Sequence, residues 1–327
     1  MIPAFRLQAT ILRAALAVAL SASVAHAADQ YPNKAIRLVH GYATASSMDI
    51  NSRAIGVKLS EYLGQQVVVD ARPGATGTIA NEIVAKSPAD GYTLLAAPSS
   101  ALAATPHLQK VRFDPLKDFV AIAPIGEFSY LLAAHPAMPA RTIKELIALA
   151  KKKPNGLSYG SNGTGSAYHL AGVLLCSMAG VDMVHVPYRG GGSSAITDLV
   201  TGRVDMMYNN PVFLLPHVRA GRLRALGVTG AKRVPAMPDV PAIGETVRGY
   251  DISGWQGILA PTGTPKAIVT RLEAAIHKAL ESSEVRNVWN TQGMDIVLTS
   301  NEKFAERLRS DYDRYGKLVK SLGDKLE

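Results

Sequence analysis

From Ser158 to Leu170 the chain reads Ser-Tyr-Gly-Ser-Asn-Gly-Thr-Gly-Ser-Ala-Tyr-His-Leu, dense in small hydrogen-bonding groups and free of Asp, Glu, Lys and Arg. The spacing predicts a short strand, a glycine and hydroxyl turn, then a helix with apolar positions Leu170, Val173, Leu174 and Met178. The first turn of a helix leaves N–H groups without intrahelical partners, at the positive end of the helix dipole. Ser161, Asn162, Gly163, Thr164, Gly165 and Ser166 are therefore candidates to hold an anion such as a carboxylate, by hydrogen bonding rather than by reaction. His169 is the one histidine beside this turn; its plainer reading is a helix residue that caps or packs the loop.

Two further segments of the same half carry polar chemistry. His185-Val186-Pro187-Tyr188-Arg189-Gly190-Gly191-Gly192 ends a predicted strand and leads to another short helix. It offers Tyr188, Arg189 and Gly190 as candidates, Arg189 because a guanidinium matches a carboxylate; the plain alternative for Arg189 is an exposed cation. Asp205 opens the strand 204–208, where pairing with a backbone amide or a cation is its simplest role, and Asn209 and Asn210 stand where they could cap the helix from Pro211.

The first half repeats the pattern with different residues. After the strand 35–39 comes His40-Gly41-Tyr42-Ala43-Thr44-Ala45-Ser46-Ser47-Met48-Asp49, and after the strand 66–70 comes Arg72-Pro73-Gly74-Ala75-Thr76-Gly77-Thr78. Tyr42, Ser46, Ser47, Asp49 and Thr76 are candidates there, although Ser46, Ser47 and Asp49 also suit a helix start whatever the function. Several loops that follow strands thus aim amides at one crevice.

No catalytic set accompanies them. Tyr159 occupies the place of the first glycine of a Gly-x-Ser-x-Gly elbow, and Gly160, Gly163 and Gly165 do not have dinucleotide spacing. The eight histidines show no metal-ligand spacing along a helix, so no metal and no cofactor is expected. A hydrolase or isomerase in the same cleft would need an activated nucleophile or a matched acid and base, and neither is legible.

These loops need a scaffold, and the pattern supplies one. Short β-branched runs alternate with amphipathic helices over 49–63, 79–86, 142–152, 194–201 and 211–220, which argues for α/β architecture with parallel sheets covered by helices. Two series of similar rhythm are separated by crossovers near 125–130 and 248–253. The reading is two domains, 28–127 plus 250–327 and 128–249, with the ligand cleft between them.

The ends and the composition bound the setting. Arg6 and Arg13, the apolar run 14–20 and Ala25-His26-Ala27 form a secretory signal peptide over 1–27, cleaved near Ala27. Cys176 is the single cysteine, so disulfides are excluded, and its apolar helix context reads as a buried thiol. Loss of Arg6 and Arg13 takes the net charge from +9 to +7. Basic residues are scattered and aromatics are 6%, which argues against nucleic acid as a partner; the excess charge favours anionic ligands instead. The mature chain is expected to be periplasmic, not membrane-embedded, and monomeric.

Taken in order, the blocks Tyr31-Pro32 to Val39, Leu63 to Val69 with Arg72-Pro73-Gly74-Ala75, Pro88-Ala89-Asp90-Gly91-Tyr92-Thr93-Leu94, Tyr159 to Leu170, Val186-Pro187-Tyr188-Arg189-Gly190 and Gly202 to Met207 resemble one known family over almost the whole mature chain. It is the solute-binding receptors of tripartite tricarboxylate transporters, also called Bug receptors. The resemblance implies a two-domain periplasmic binding protein of type II, a Venus flytrap without enzymatic activity. The implied ligand is a small carboxylate (a di- or tricarboxylate, an acidic amino acid or an aromatic acid), and the implied partners are the membrane subunits of the transporter. It also implies that one ligand carboxylate is held by 161–166 and 188–190 with Asp205 nearby. The chain departs from the family in Gly41 to Ser47, where a glycine-rich turn is usual, and in Arg189, where lysine is more usual. A sensing subunit that reports ligand to a membrane kinase would share the same binding chemistry.

Overall fold

The computed structural model describes residues 31–188, 193–234 and 237–323. The expected signal peptide lies outside the described residues, as do Arg189 and Gly190. Along the chain the strands are β1 (Ile36–His40), β2 (Val67–Ala71), β3 (Thr93–Pro98), β4 (Phe119–Ser129), β5 (Leu131–Ala134), β6 (Ser158–Ser161), β7 (Val184–Pro187), β8 (Met206–Asn209), β9 (Arg224–Val228) and β10 (Ser253–Pro261). They form two five-stranded sheets, of order β2-β1-β3-β10-β4 and β7-β6-β8-β5-β9. The expected α/β class is what the chain adopts.

Parallel pairing holds for β1 with β2 and β3, and for β6 with β7 and β8. The sheets are nonetheless mixed, which departs from the parallel expectation: β10 runs antiparallel to β3 and β4, and β5 antiparallel to β8 and β9. The reason is the route of the chain. β4 leaves the first sheet at Ser129 and, after Tyr130 alone, β5 enters the second; the return from Val228 feeds β10. Both entering strands start at the edge where the others finish, so they run opposite to them. The carboxyl ends of β1, β2, β3, β6, β7 and β8 therefore face the crossing point.

The helices follow from local sequence. α1 (Ser47–Leu63) is capped by Ser46, whose Oγ accepts from the Asp49 N–H, and stops at Gly64 with φ +68°. α2 (Thr78–Ala85) and α3 (Thr105–Leu108) lie in the first half, and α4 (Ile143–Lys152) is capped by Thr142. α5 (Ala167–Ala179) is capped by Ser166, and α6 (Ser193–Val200) and α7 (Pro211–Arg219) follow. α8 (Lys266–Glu281), α9 (Ser283–Gln292) and α10 (Asn301–Leu322) pack back on the first sheet. Ile55 and Leu59 of α1 and Leu272 and Ile276 of α8 are fully buried against Ile36, Leu38 and Leu94. Trp255 is also buried, and its indole N–H donates to Asp311 Oδ2 at 2.8 Å. Among the described residues no helix is long and apolar enough to cross a membrane.

Candidate functional site

The loop between β6 and α5 stands at the crossing edge and holds Ser161 to Ser166 together. Its internal bonds decide which donors remain. Ser161 Oγ accepts from the Gly163 N–H at 3.1 Å, and the Gly165 N–H donates to His169 Nδ1 at 3.0 Å. Ser166 Oγ accepts from the His169 N–H at 3.2 Å. The amides of Asn162, Thr164, Ala167 and Tyr168 have no partner among the described residues, and Asn162 Oδ1 is buried without one. Two of the glycine amides are thus turned inward, and the outward donors are shifted toward the first turn of α5, where the helix dipole favours an anion.

His169 is not a cleft residue. It is 2% exposed, and its ring stacks on His185 with centroids 3.9 Å apart. The pair lines a cavity of about 340 Å³ behind the loop, together with Tyr159, Thr164, Cys176 and Asp182. Burial holds His169 down to about 4, and burial and then its neighbour hold His185 at about 4, so both rings are neutral near pH 7. Cys176, expected to be buried, is half-buried on this cavity.

Asp205 takes its simplest role, pairing with a backbone amide. It precedes β8, at the edge of the sheet away from the crossing, and its carboxylate accepts from the Ser158 N–H at 2.7 Å and the Ser158 hydroxyl at 2.8 Å. It pins the start of β6 rather than a ligand. Tyr188 lies at the correct edge, but its hydroxyl donates to Asp198 Oδ2 at 2.9 Å. Arg189 and Gly190 fall outside the described residues.

In the first lobe Asp49 is a loop anchor. Its carboxylate is 2% exposed, lies 3.1 Å from His40 Nε2, and accepts from the Ala45 N–H at 3.0 Å and Arg53 Nε at 3.0 Å. Burial would push its pKa up, but these hydrogen bonds prevail and hold it below the ordinary value. Ser46 is spent on the cap, whereas Ser47 Oγ is buried without a partner among the described residues. Tyr42 reaches from this loop to the next, its hydroxyl donating to the Thr76 carbonyl at 3.3 Å. Thr76 itself is exposed, with φ +56°. The two loops touch backbone to backbone: a Cβ at Gly41 would stand 2.3 Å from Gly77 Cα, so glycine is required there.

Other residues at this edge come from long-range pairing. Tyr130, at the crossing, packs edge-on against Tyr168 of α5 with centroids 4.8 Å apart. Burial raises the Tyr42 hydroxyl to about 12, a bond with Ser100 acting against it, and burial first of all also raises Tyr130 and Tyr168, with Tyr42 a smaller contributor to both. The place of Gly165 Cβ is 3.2 Å from Leu108 Cδ1, so α3 of the first lobe meets the loop of the second. Asn51 on α1 donates to Gln256 Oε1 at 2.9 Å, and its own Oδ1 lacks a partner among the described residues. Of these, Tyr168, in the first turn of the helix after the candidate loop, and Ser100, just after a strand, carried a usable signal; Asn51 and Gln256, 205 residues apart, carried none.

Relatives share this framework. A model of the tripartite tricarboxylate transporter family receptor matches residues 52–324. A protein encoded in the tcbD-tcbE intergenic region of Pseudomonas sp. (strain P51) is 36% identical over 307 residues, 93% of this chain and 91% of the relative. The solved structure of R. palustris Rpa4515 with adipate superposes with a TM-score of 0.80 at 32% identity, covering 90% of this chain and 99% of that one. MatC (Rpa3494) from Rhodopseudomonas palustris with bound malate gives a TM-score of 0.76 at 30% identity, covering 88% and 100%. With the family model spanning most of its length, and with this fold, the chain belongs to the solute-binding receptors of the tripartite tricarboxylate transporter family, the Bug family.

Proposed function

We propose that this protein is an exported periplasmic receptor that captures a small organic carboxylate between two lobes, 28–127 plus 250–327 and 128–249, and delivers it to the membrane subunits of a tripartite tricarboxylate transporter. One observation carries the reading: the uncharged 161–166 loop faces the other lobe at Leu108 with unpartnered amides at the start of α5. A carboxylate there would be bound by the N–H groups of Asn162, Thr164, Ala167 and Tyr168, with Ser166 alongside. The distal part of the acid would meet Tyr42, Ser47 and Thr76 of the first lobe. Adipate and malate in the two solved relatives support a carboxylate as the cargo. The arrangement binds and does not transform: the described loop holds no acid, no base with access to the cleft and no free nucleophile, since Ser161 is fully buried.

The experiment is calorimetry on the mature protein, stripped of copurified ligand, with benzoate, malate, adipate and citrate. Saturable binding of at least one acid is expected, and heat from none of the four would refute the reading. Mass spectrometry of the acid released from freshly purified protein then names the cargo.

A further inference from the structure

We propose that His169 is a positioning residue for the carboxylate grip: its ring draws the Gly165 amide inward and so sets the direction in which the other N–H groups of the loop point. The inference rests on reading that loop as the carboxylate site.

The geometry closes the loop from behind. Gly165 has φ +78°, a conformation that side chains rarely adopt, and its N–H donates to His169 Nδ1 at 3.0 Å. The backbone N–H of His169 itself donates to Ser166 Oγ at 3.2 Å, so His169 ties the turn through both ring and main chain. The ring is clamped by His185, 3.9 Å away and 20° from parallel, and His185 Nε2 lies 2.6 Å from Ser161 Oγ. One stacked pair therefore connects the first residue of the loop to the fifth. With the Gly163 and Gly165 amides consumed inside the turn, the donors left outward are those of Asn162, Thr164, Ala167 and Tyr168.

The device works only with a neutral His169, because a protonated Nδ1 cannot accept from Gly165. Burial supports that state, and two cationic rings at this separation would repel. The other titratable groups on the cavity are Tyr159 of β6, Cys176 of α5 and Asp182 before β7; no Lys or Arg lines it among the described residues.

Two substitutions separate the acceptor from the bulk. His169→Phe keeps a flat ring for His185 and removes the acceptor; His169→Asn keeps a side-chain oxygen that can take the Gly165 N–H. Affinity at pH 7.5 is measured by calorimetry for whichever of benzoate, malate, adipate and citrate binds the wild-type protein, with folding checked by thermal unfolding. His169→Phe is expected to weaken binding by about tenfold or more, and His169→Asn by less than about threefold, the size of one lost hydrogen bond against one retained. In the wild-type protein, ¹⁵N shifts of the imidazole should show a protonated Nε2 and a bare, hydrogen-bonded Nδ1 at pH 7.5. Unchanged affinity in folded His169→Phe, or a proton on Nδ1, overturns the inference and leaves the receptor reading standing. If the wild-type protein binds none of the four acids, the receptor reading falls, and the inference with it.

Discussion

Tyr130 and Thr229 hydrogen-bond to each other where the chain crosses between the two sheets: the Tyr130 N–H donates to Thr229 Oγ1 at 2.9 Å, and the Thr229 N–H to the Tyr130 carbonyl at 2.9 Å. The Thr229 hydroxyl then donates to the Ile252 carbonyl at 2.7 Å, and the Ile252 N–H to the Thr229 carbonyl at 2.8 Å. One fully buried threonine thus joins the outgoing crossing to two points of the return.

Thr229→Val tests that joint. Valine matches the shape but leaves the Tyr130 N–H and the Ile252 carbonyl buried without partners, which costs about 2 kcal/mol. Urea unfolding should show a lowered midpoint for Thr229→Val, while Thr229→Ser stays within about 1 kcal/mol of wild type because the hydroxyl is kept. Equal midpoints for Val and wild type would mean the crossings are held by packing alone.

The buried histidines set an acid limit on stability. His169 and His185 titrate near 4 in the folded protein and near 6.5 when unfolded, so the unfolded chain binds protons first as pH falls. Their neutral state costs nothing above pH 6.5, and stability is lost progressively between 6.5 and 4. His40 and His217 are shifted in the same direction, both by burial first. Asp49 adds nothing in this window, since its depressed pKa costs stability only below the ordinary carboxylate value. Thermal unfolding across pH 7 to 4 should show a falling midpoint, with a shallower slope in His169→Asn. A flat profile over this range would contradict the buried neutral pair.

Tyr42 roofs Gly77: a Cβ there would be 3.2 Å from the tyrosine ring. Tyr42→Phe removes the long hydrogen bond to Thr76 and the bond with Ser100, and should change affinity by less than about threefold. Tyr42→Ala removes the wall, so the best wild-type acid should bind about tenfold more weakly while bulkier acids gain relative to it. Calorimetry against the same acid series measures both, and an unaltered ranking in Tyr42→Ala would remove this residue from the determinants of selectivity.

Much of this architecture was legible because the signals are local. Ser46 caps α1 where its spacing predicts, Thr142, Ser166 and Ser282 do the same for α4, α5 and α9, and Gly64, Gly180 and Gly293 end helices in the left-handed region. The segment Ser100–Leu108 was missed although Pro106 suits a first helical turn, and with it went the Leu108 contact to Gly165. The anion loop was legible because its members are consecutive. Asp49 and Asp205 were less legible for a different reason: their partners include His40 and Ser158, which lie in other elements, and strand direction puts Asp205 at the far edge. A carboxylate beside a candidate loop in sequence says nothing about which end of a strand it occupies.

Ser166 allows binding and folding to be separated in one position. Its Oγ caps α5 by accepting from the His169 N–H, a role that aspartate fills as well or better because its charge also complements the helix dipole. Ser166→Asp should therefore keep the thermal midpoint or raise it by a few degrees, an effect of about 1 kcal/mol or less. The same carboxylate occupies the start of α5 where the ligand's charge would lie, so two anions would compete for one set of amides. Binding of every acid that the wild-type protein takes should fall by at least about a hundredfold, roughly the 3 kcal/mol that a close like-charge pair costs in a half-buried site. Retained affinity in a folded Ser166→Asp protein would place the carboxylate somewhere other than this loop.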